Sequence, residues 1–169
     1  MRIALGSVPI AALAMLSAAG GCGPKKDLHV ADTMHKVVEG DGLSVAIKLP
    51  RRDLTVGEKL HVSVTATNTS DKPITIHAPT GAPVLVRVLR RTLLGEEEVK
   101  YYPRSATGNI LSWTLPPGVS RPFTLIIPVE PDWPAEEVLY VSAELNGHPE
   151  IAPALFVTVK MSEQAKSLQ

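Results

Sequence analysis

The sequence predicts an all-β sandwich. Three observations carry the prediction. Apolar and polar residues alternate with period two in segment after segment, strand-sized segments recur at intervals of about 8 to 12 residues, and Gly- or Pro-containing turns separate them. Fifteen prolines among 169 residues fit the same class, because proline suits turns and edge strands and breaks helices. No amphipathic helical pattern of useful length interrupts the series.

Taken in order, "LSVAIKLP" puts Leu43, Val45, Ile47 and Leu49 on one face. "EKLHVSVTATN" alternates more cleanly, with Leu60, Val62, Val64 and Ala66 opposite His61, Ser63, Thr65 and Thr67. "NTSDKPI" supplies a turn, and the short strand "PITIHAP" follows. "PVLVRVLRR" reads as a strand with "EEEVKYYP" as its hairpin partner. "NILSWTLPPG" ends in a Pro-Pro-Gly turn, and "RPFTLIIPVE" aligns Phe123, Leu125 and Ile127. "EVLYVSAELNG" aligns Leu139, Val141, Ala143 and Leu145, and "IAPALFVTVK" closes the domain. We therefore expect about seven to eight strands in one domain spanning residues 42–160. A polar tail, 161–169, follows it.

The start of the chain has a different character. Arg2 is followed by an uncharged apolar run from Ile3 to Leu16 and a string of small residues from Ser17 to Gly21. This is the layout of an export signal, and the run is too short and too interrupted for a membrane span of about 20 apolar residues. The sole cysteine, Cys22, comes next. "Ala19-Gly20-Gly21-Cys22" resembles the lipobox of bacterial lipoproteins, although the commonest form has leucine where Ala19 stands. The resemblance implies cleavage before Cys22, acylation of its sulfur and new amino group (palmitate among the chains), and a bacterial cell-envelope location on a membrane. Two or more acyl chains give stable anchoring at about 0.8 kcal/mol per buried methylene. Residues 1–21 are then the signal peptide and 22–41 the acylated cysteine and tether. Within the tether, "ADTMHKVVEGDG" reads either as a helical turn or as an unpaired lead-in. Membrane lipid, through Cys22, is the one partner the sequence suggests by chemistry.

Cleavage after Gly21 leaves 148 residues and removes one charge, Arg2, so 16 basic residues face 17 acidic ones. Such a balance carries no electrostatic footprint for nucleic acid. With no cysteine besides Cys22, no intrachain disulfide staples the fold, and an apolar core must stabilise it.

"EKLHVSVTATNTSDKPITI" and the later "WTLPPGVSRPFTLIIPV" resemble immunoglobulin-like modules of bacterial secreted proteins and lipoproteins. The bacterial intracellular proteinase inhibitor domain shares that layout of strand, Asn-x-Ser turn and Pro-Gly strand entry. The likeness spans about Leu43 to Lys160 and implies a single immunoglobulin-like antiparallel β-sandwich. It bears on fold more than on activity, since one fold hosts many functions.

Chemistry is sparse. His29, His35, His61, His77 and His148 show no spacing that ties a metal to one element, so no metal or other cofactor is expected. The serines lie in no Gly-x-Ser-x-Gly or Ser-x-x-Lys frame. Glu96 to Glu98 and Glu136-Glu137 read as solvated loop charges, because neighbouring strand residues point to opposite faces. No catalytic residue is assigned, and the protein is not expected to be an enzyme. Among seven aromatic residues, Tyr101 and Tyr102 with Arg104, and Trp133 between prolines in "PDWPAEE", form the candidate recognition patch. Trp113 is expected in the core instead. The expected role is a non-catalytic protein-binding or structural module. The alternatives are inhibition of an envelope protease and carriage of a small ligand, carbohydrate or metal.

Overall fold

A computed structural model describes residues 33–104 and 109–161. The signal segment, Cys22, His29 and residues 162–169 of the C-terminal tail therefore lie outside the described residues. Within them the chain is all-β, without a helix, and no helix is long and apolar enough to cross a membrane. Eleven strands form: β1 Met34–Gly40, β2 Leu43–Leu49, β3 Asp53–Thr55, β4 Lys59–Asn68, β5 Ile74–Ala78, β6 Val84–Thr92, β7 Gly95–Tyr102, β8 Leu111–Leu115, β9 Ser120–Pro128, β10 Val138–Leu145 and β11 Ala154–Lys160.

These strands build a four-stranded sheet in the order β1-β2-β4-β9, a five-stranded sheet in the order β3-β11-β10-β6-β7, and a two-stranded sheet of β5 and β8. The two large sheets share one apolar core, an arrangement consistent with a β-sandwich. The alternation read from sequence decides which side chains enter it. Val45, Ile47, Val62, Val64 and Ala66 from one sheet meet Val86, Val88, Val141, Ala143 and Val157 from the other, all without solvent exposure.

Eleven strands exceed the expected seven to eight, and two of them, β1 and β3, were not among the segments read from the sequence, for identifiable reasons. β3 is three residues long and pairs in parallel with β11, too short to show a period. β1 is an edge strand whose side chains are exposed or half-buried along its length, so no face stands out. Residues 34–40, assigned to the tether, therefore belong to the sheet. Asp41 (φ 49°) and Gly42 (φ 75°) close the β1–β2 hairpin as a two-residue loop, with Gly40 opposite Leu43. Two successive positive φ values are what a type I′ turn needs, and Asp-Gly supplies them.

The turn after β4 is organised by a buried amide. Asn68, fully buried, donates through Nδ2 to the carbonyls of Lys72 (2.7 Å) and Leu115 (2.8 Å). Its Oδ1 accepts from the Ser70 amide and hydroxyl at 2.9 and 2.7 Å. All four of its bonding positions are used, so the Asn-Thr-Ser triplet serves the turn. At the same end, Gly147 (φ 96°) passes under the backbone of β5, and a Cβ there would stand 2.5 Å from the His77 carbonyl oxygen.

Candidate functional site

The outer face of the five-stranded sheet is set by the positions that alternate away from the core. On β6 these are Arg87, Leu89 and Arg91, and on β10 Tyr140, Ser142 and Glu144. The register places Ser142 opposite Arg87 and Tyr140 opposite Leu89, while Ser142 faces Ala154 of β11 on its other side. Pro149 and Ala152, from the β10–β11 connection, and Lys36 of β1 raise the rim. The result is a trough of about 380 Å3 on what is otherwise the solvent side of a sheet.

β7 reaches this face through an irregularity. Tyr102, Tyr101 and Lys100 pair with Val86, Arg87 and Val88, and the next pair is Glu98 with Leu89, which leaves Val99 as an extra residue. A β-bulge of this kind shifts the side-chain phase by one. Lys100 and Tyr102 thus share the side of Val86 and Val88, whereas Glu98 and Glu96 turn outward beside Arg87 and Arg91. Of the acids expected to be solvated loop charges, Glu96 to Glu98 are instead strand residues, with Arg91 paired to Glu96 at 3.6 Å and Arg90 to Glu97 at 2.7 Å.

The floor of the trough carries the unusual electrostatics. The Glu144 side chain is only 8% exposed, and its Oε1 accepts from Arg87 at 3.1 Å. The Arg87 side chain is 39% exposed, but its Nε is shielded from solvent, lies 3.8 Å from Glu98, and has no hydrogen-bond partner among the described residues. Removing charge from water costs free energy that an ion pair recovers only in part. The Arg91 guanidinium lies 5.0 Å from the centroid of Tyr140 and extends the cationic wall. Among the described residues no histidine or cysteine lines the trough. The trough thus presents a guanidinium, a withdrawn carboxylate and an aromatic ring side by side.

The residues singled out by sequence divide between two places. Tyr101 is half-buried and stands opposite Arg87 on the outer face, next to the trough. Tyr102, Arg104 and Trp133 gather elsewhere, around Glu130. There the Tyr102 hydroxyl donates to Glu130 Oε1 at 3.1 Å, Arg104 pairs with Glu130 Oε2, and Lys100 bridges Glu130 (3.4 Å) and Asp132. Tyr102 is 6% exposed and Trp133 only 1%, so neither can serve the recognition patch proposed for it. Tyr102 turns inward because successive strand residues alternate. The turn that bonds the Trp133 amide to the Glu130 carbonyl tucks the indole into the core, where its Nε1 has no partner among the described residues. Burial, then the Glu130 charge, raises the Tyr102 hydroxyl above its ordinary pKa of 10.0. Hydrogen bonding to Asp132 raises Lys100 above its ordinary 10.5, and Lys100 in turn lowers Asp132 below 3.8. This cluster is a strap between β7 and the β9–β10 connection.

Trp113 is half-buried rather than central. It packs edge-to-face on Phe123 with centroids 6.0 Å apart, and Arg121 covers both rings. His61 and His77 cannot meet, since β4 pairs with β2 and β9 while β5 pairs with β8. His77 instead contacts Ser112 at 3.3 Å. Among the described residues no group of three or more His, Cys, Asp or Glu side chains is placed to hold a metal. Nothing in the sequence pointed to Arg87 and Glu144 as a pair, although both fall at outward positions of strongly alternating strands. A second, apolar groove of about 230 Å3 opens between Pro83, Pro103, Phe123 and Leu125.

No family model matches the chain, and no curated protein matches it. Solved structures do show a likeness. The sporulation control protein Spo0M from Bacillus subtilis is 14% identical with a TM-score of 0.48, over 76% of this chain and 56% of that one. An alkylpurine DNA glycosylase, AlkC, from Pseudomonas fluorescens is 12% identical with a TM-score of 0.46, over 75% and 30%. A β-glucosidase from Listeria innocua is 16% identical with a TM-score of 0.42, over 76% and 16%. The chain thus spans about half of the first of these proteins and smaller parts of the other two.

Proposed function

We propose that the protein is a lipid-anchored, non-catalytic binding module of the bacterial cell envelope. Its acylated Cys22 holds it in a membrane, and its immunoglobulin-like sandwich engages a partner protein through the trough. The immunoglobulin-like type is supported by the pairing of β4 with β9 and of β6 with β10, non-consecutive neighbours of the kind that Greek-key connections produce. One observation carries the binding reading. A carboxylate 92% withdrawn from solvent, with a half-exposed arginine beside it, sits on the outer face of a sheet where folding alone asks only for solvated polar residues. The natural occupant is a charged side chain or short segment of the partner, which meets the exposed part of the Arg87 side chain.

The test is cross-linking in the native membrane before extraction, combined with intact-mass analysis of the mature protein. Acylated Cys22 and a neighbour captured by wild type but lost in Arg87→Met/Glu144→Leu are expected. The same neighbour captured equally by both forms rules out the trough as the binding surface. An unmodified Cys22 or an uncleaved leader rules out the anchor.

A second reading uses the same trough for a small polar ligand, because 380 Å3 falls within the range of about 300–1,000 Å3 typical of small-molecule sites. Thermal stabilisation by one member of a panel of sugars and amino acids, abolished by Glu144→Leu, selects it over the protein-binding reading.

A further inference from the structure

The β6–β7 hairpin ends in two leucines that the fold does not use. Leu93 and Leu94 form the whole two-residue loop between Thr92 and Gly95, and both side chains are as exposed as in an open chain, at 106% and 100%. The turn is already satisfied without them. Thr92 Oγ1 donates to the Gly95 carbonyl at 3.0 Å and accepts from the Leu94 amide at 3.3 Å, while Gly95 takes the positive φ of 129°. Asn-Gly or Asp-Gly is the usual chemistry of such a tip. Two adjacent bare leucines add exposed apolar surface and no packing.

The position of this tip in the fold gives the leucines an occupant. Arg90 of β6 is level with Leu139, and Val138 is level with Thr158 of β11, which is itself level with Asp53 of β3. β3 follows directly on β2, whose last residue, Leu49, pairs with Met34, the first residue of β1. The end of the domain that carries the leucine tip is thus the end at which the chain enters from Cys22. Met34 follows Cys22 by twelve residues, which reach at most about 40 Å. Exposed Val138 lies at the same end. The collar of the tip offers no cationic attraction to lipid, since Arg91 pairs with Glu96 and Arg90 with both Glu97 and Glu137, so apolar surface has to carry any contact.

We propose that the Leu93-Leu94 tip is a second membrane contact, inserting into the interfacial layer of the bilayer that holds the acyl anchor. The proposal rests on the lipid-anchored reading above. An acyl anchor alone leaves the domain free to rotate on its tether, whereas a tip immersed beside it holds the strands upright on the membrane. Each leucine fully withdrawn from water shifts partition by about tenfold or more, so even partial immersion of the pair biases orientation strongly.

The experiment uses the full acylated chain in phosphatidylethanolamine/phosphatidylglycerol vesicles. An environment-sensitive dye is placed on Leu94→Cys, with the same dye on Thr69→Cys, at the opposite end, as reference. Both positions are exposed, so neither substitution disturbs the core. The expected result is a blue shift and quenching by lipid-borne quenchers at position 94 and neither at position 69, with the position-94 response reduced at least tenfold by the further change Leu93→Ser. Protein that floats with the vesicles while position 94 is unquenched overturns the tip contact and leaves the anchor standing. A blue shift without lipid quenching places the dye against protein, this chain or a second copy of it, and also overturns the tip contact. Protein that does not float with the vesicles overturns the anchored reading itself.

Discussion

The Arg87–Glu144 pair offers a test in which stability and binding move in opposite directions. Breaking a fully buried ion pair by removing one partner costs about 3–5 kcal/mol, because the other charge is stranded. Here the Glu144 side chain is 8% exposed but that of Arg87 is 39% exposed, and Glu98 stands 3.8 Å away as a remaining neighbour. Glu144→Gln therefore strands a guanidinium that water can reach, and the expected loss falls to about 1–2 kcal/mol. For a domain of this size that lowers Tm by about 4–8 °C. Replacing both charges, as Arg87→Met/Glu144→Leu, removes the desolvation cost together with the attraction. That double variant should stay within about 1 kcal/mol of wild type or exceed it, since apolar replacement of buried pairs is often neutral or stabilising. Urea unfolding followed by tryptophan fluorescence reads both quantities, because Trp133 is buried in the core. A double variant that is as stable as wild type, yet captures no partner, is the signature of a charge pair retained for binding. If the double variant loses more than about 3 kcal/mol, the pair holds the sheet together, and the reasoning that assigned it to recognition is refuted.

Three further outcomes follow from the same geometry. Asn68→Ala removes four hydrogen bonds, two of them to the Lys72 and Leu115 carbonyls, so a loss of about 2–4 kcal/mol is expected in urea unfolding, against no measurable change for exposed Thr69→Ala. Trp133→Ala should cost about 3–5 kcal/mol in urea unfolding followed by circular dichroism, since the change removes the fluorescent reporter; that is the range for emptying a core aromatic site, whereas a displayed tryptophan would cost almost nothing. The Lys100–Asp132 contact makes stability pH-dependent at two limits. Asp132 titrates below its ordinary 3.8 when folded, so its contribution is complete above that value and disappears as the solution is acidified through the lower folded value. Lys100 titrates above 10.5 when folded, so its contribution is complete below that value and disappears as the pH climbs through the higher one. The stability difference between wild type and Lys100→Met should be flat between these limits and shrink beyond both. A difference independent of pH at both extremes removes the contact from the list of stabilising interactions.

How much of this was legible in the sequence depends on how local each feature is. β2, β4, β10 and β11 announce themselves because one face of each is buried, and β6 with β7 because a short loop joins them. β1 escaped, although Asp41-Gly42 is a strong two-residue hairpin signal, because its side chains show no buried face to confirm a partner strand. The recognition patch was misplaced for a related reason. Adjacency in sequence is not adjacency on a surface, and Tyr101 and Tyr102 necessarily point to opposite faces of β7. Trp133 looked displayed between prolines, but the β9–β10 connection folds back, with the Glu136 amide bonded to the Val159 carbonyl, and carries the indole inward. The trough was invisible because Arg87 and Glu144 are 57 residues apart and meet only through the β6–β10 register. The bulge at Val99, which turns Glu96 and Glu98 outward, left no trace in composition.

The proposed anchor and the trough also constrain each other. β6, nine residues long, spans about 30 Å, and the trough follows it from Arg91 near the hairpin end towards Glu144 and Pro149 at the far end. With the leucine tip on the membrane, that face stands perpendicular to the bilayer and within about 30 Å of it, open to the membrane-proximal part of a neighbouring envelope protein. Orientation then comes from the tip, while the tether only limits distance. A ten-residue Gly/Ser spacer inserted after Gly23 separates the two contributions. When the tip sets the orientation, the longer tether leaves the partner cross-link unchanged, because loop length enters only logarithmically in the entropy of holding two points together. When the tether alone holds the domain near its partner, the spacer moves the trough away from the membrane-proximal contact and the cross-link weakens. The same spacer combined with Leu93→Ser/Leu94→Ser should weaken the cross-link more than either change alone, since orientation and distance are then lost together.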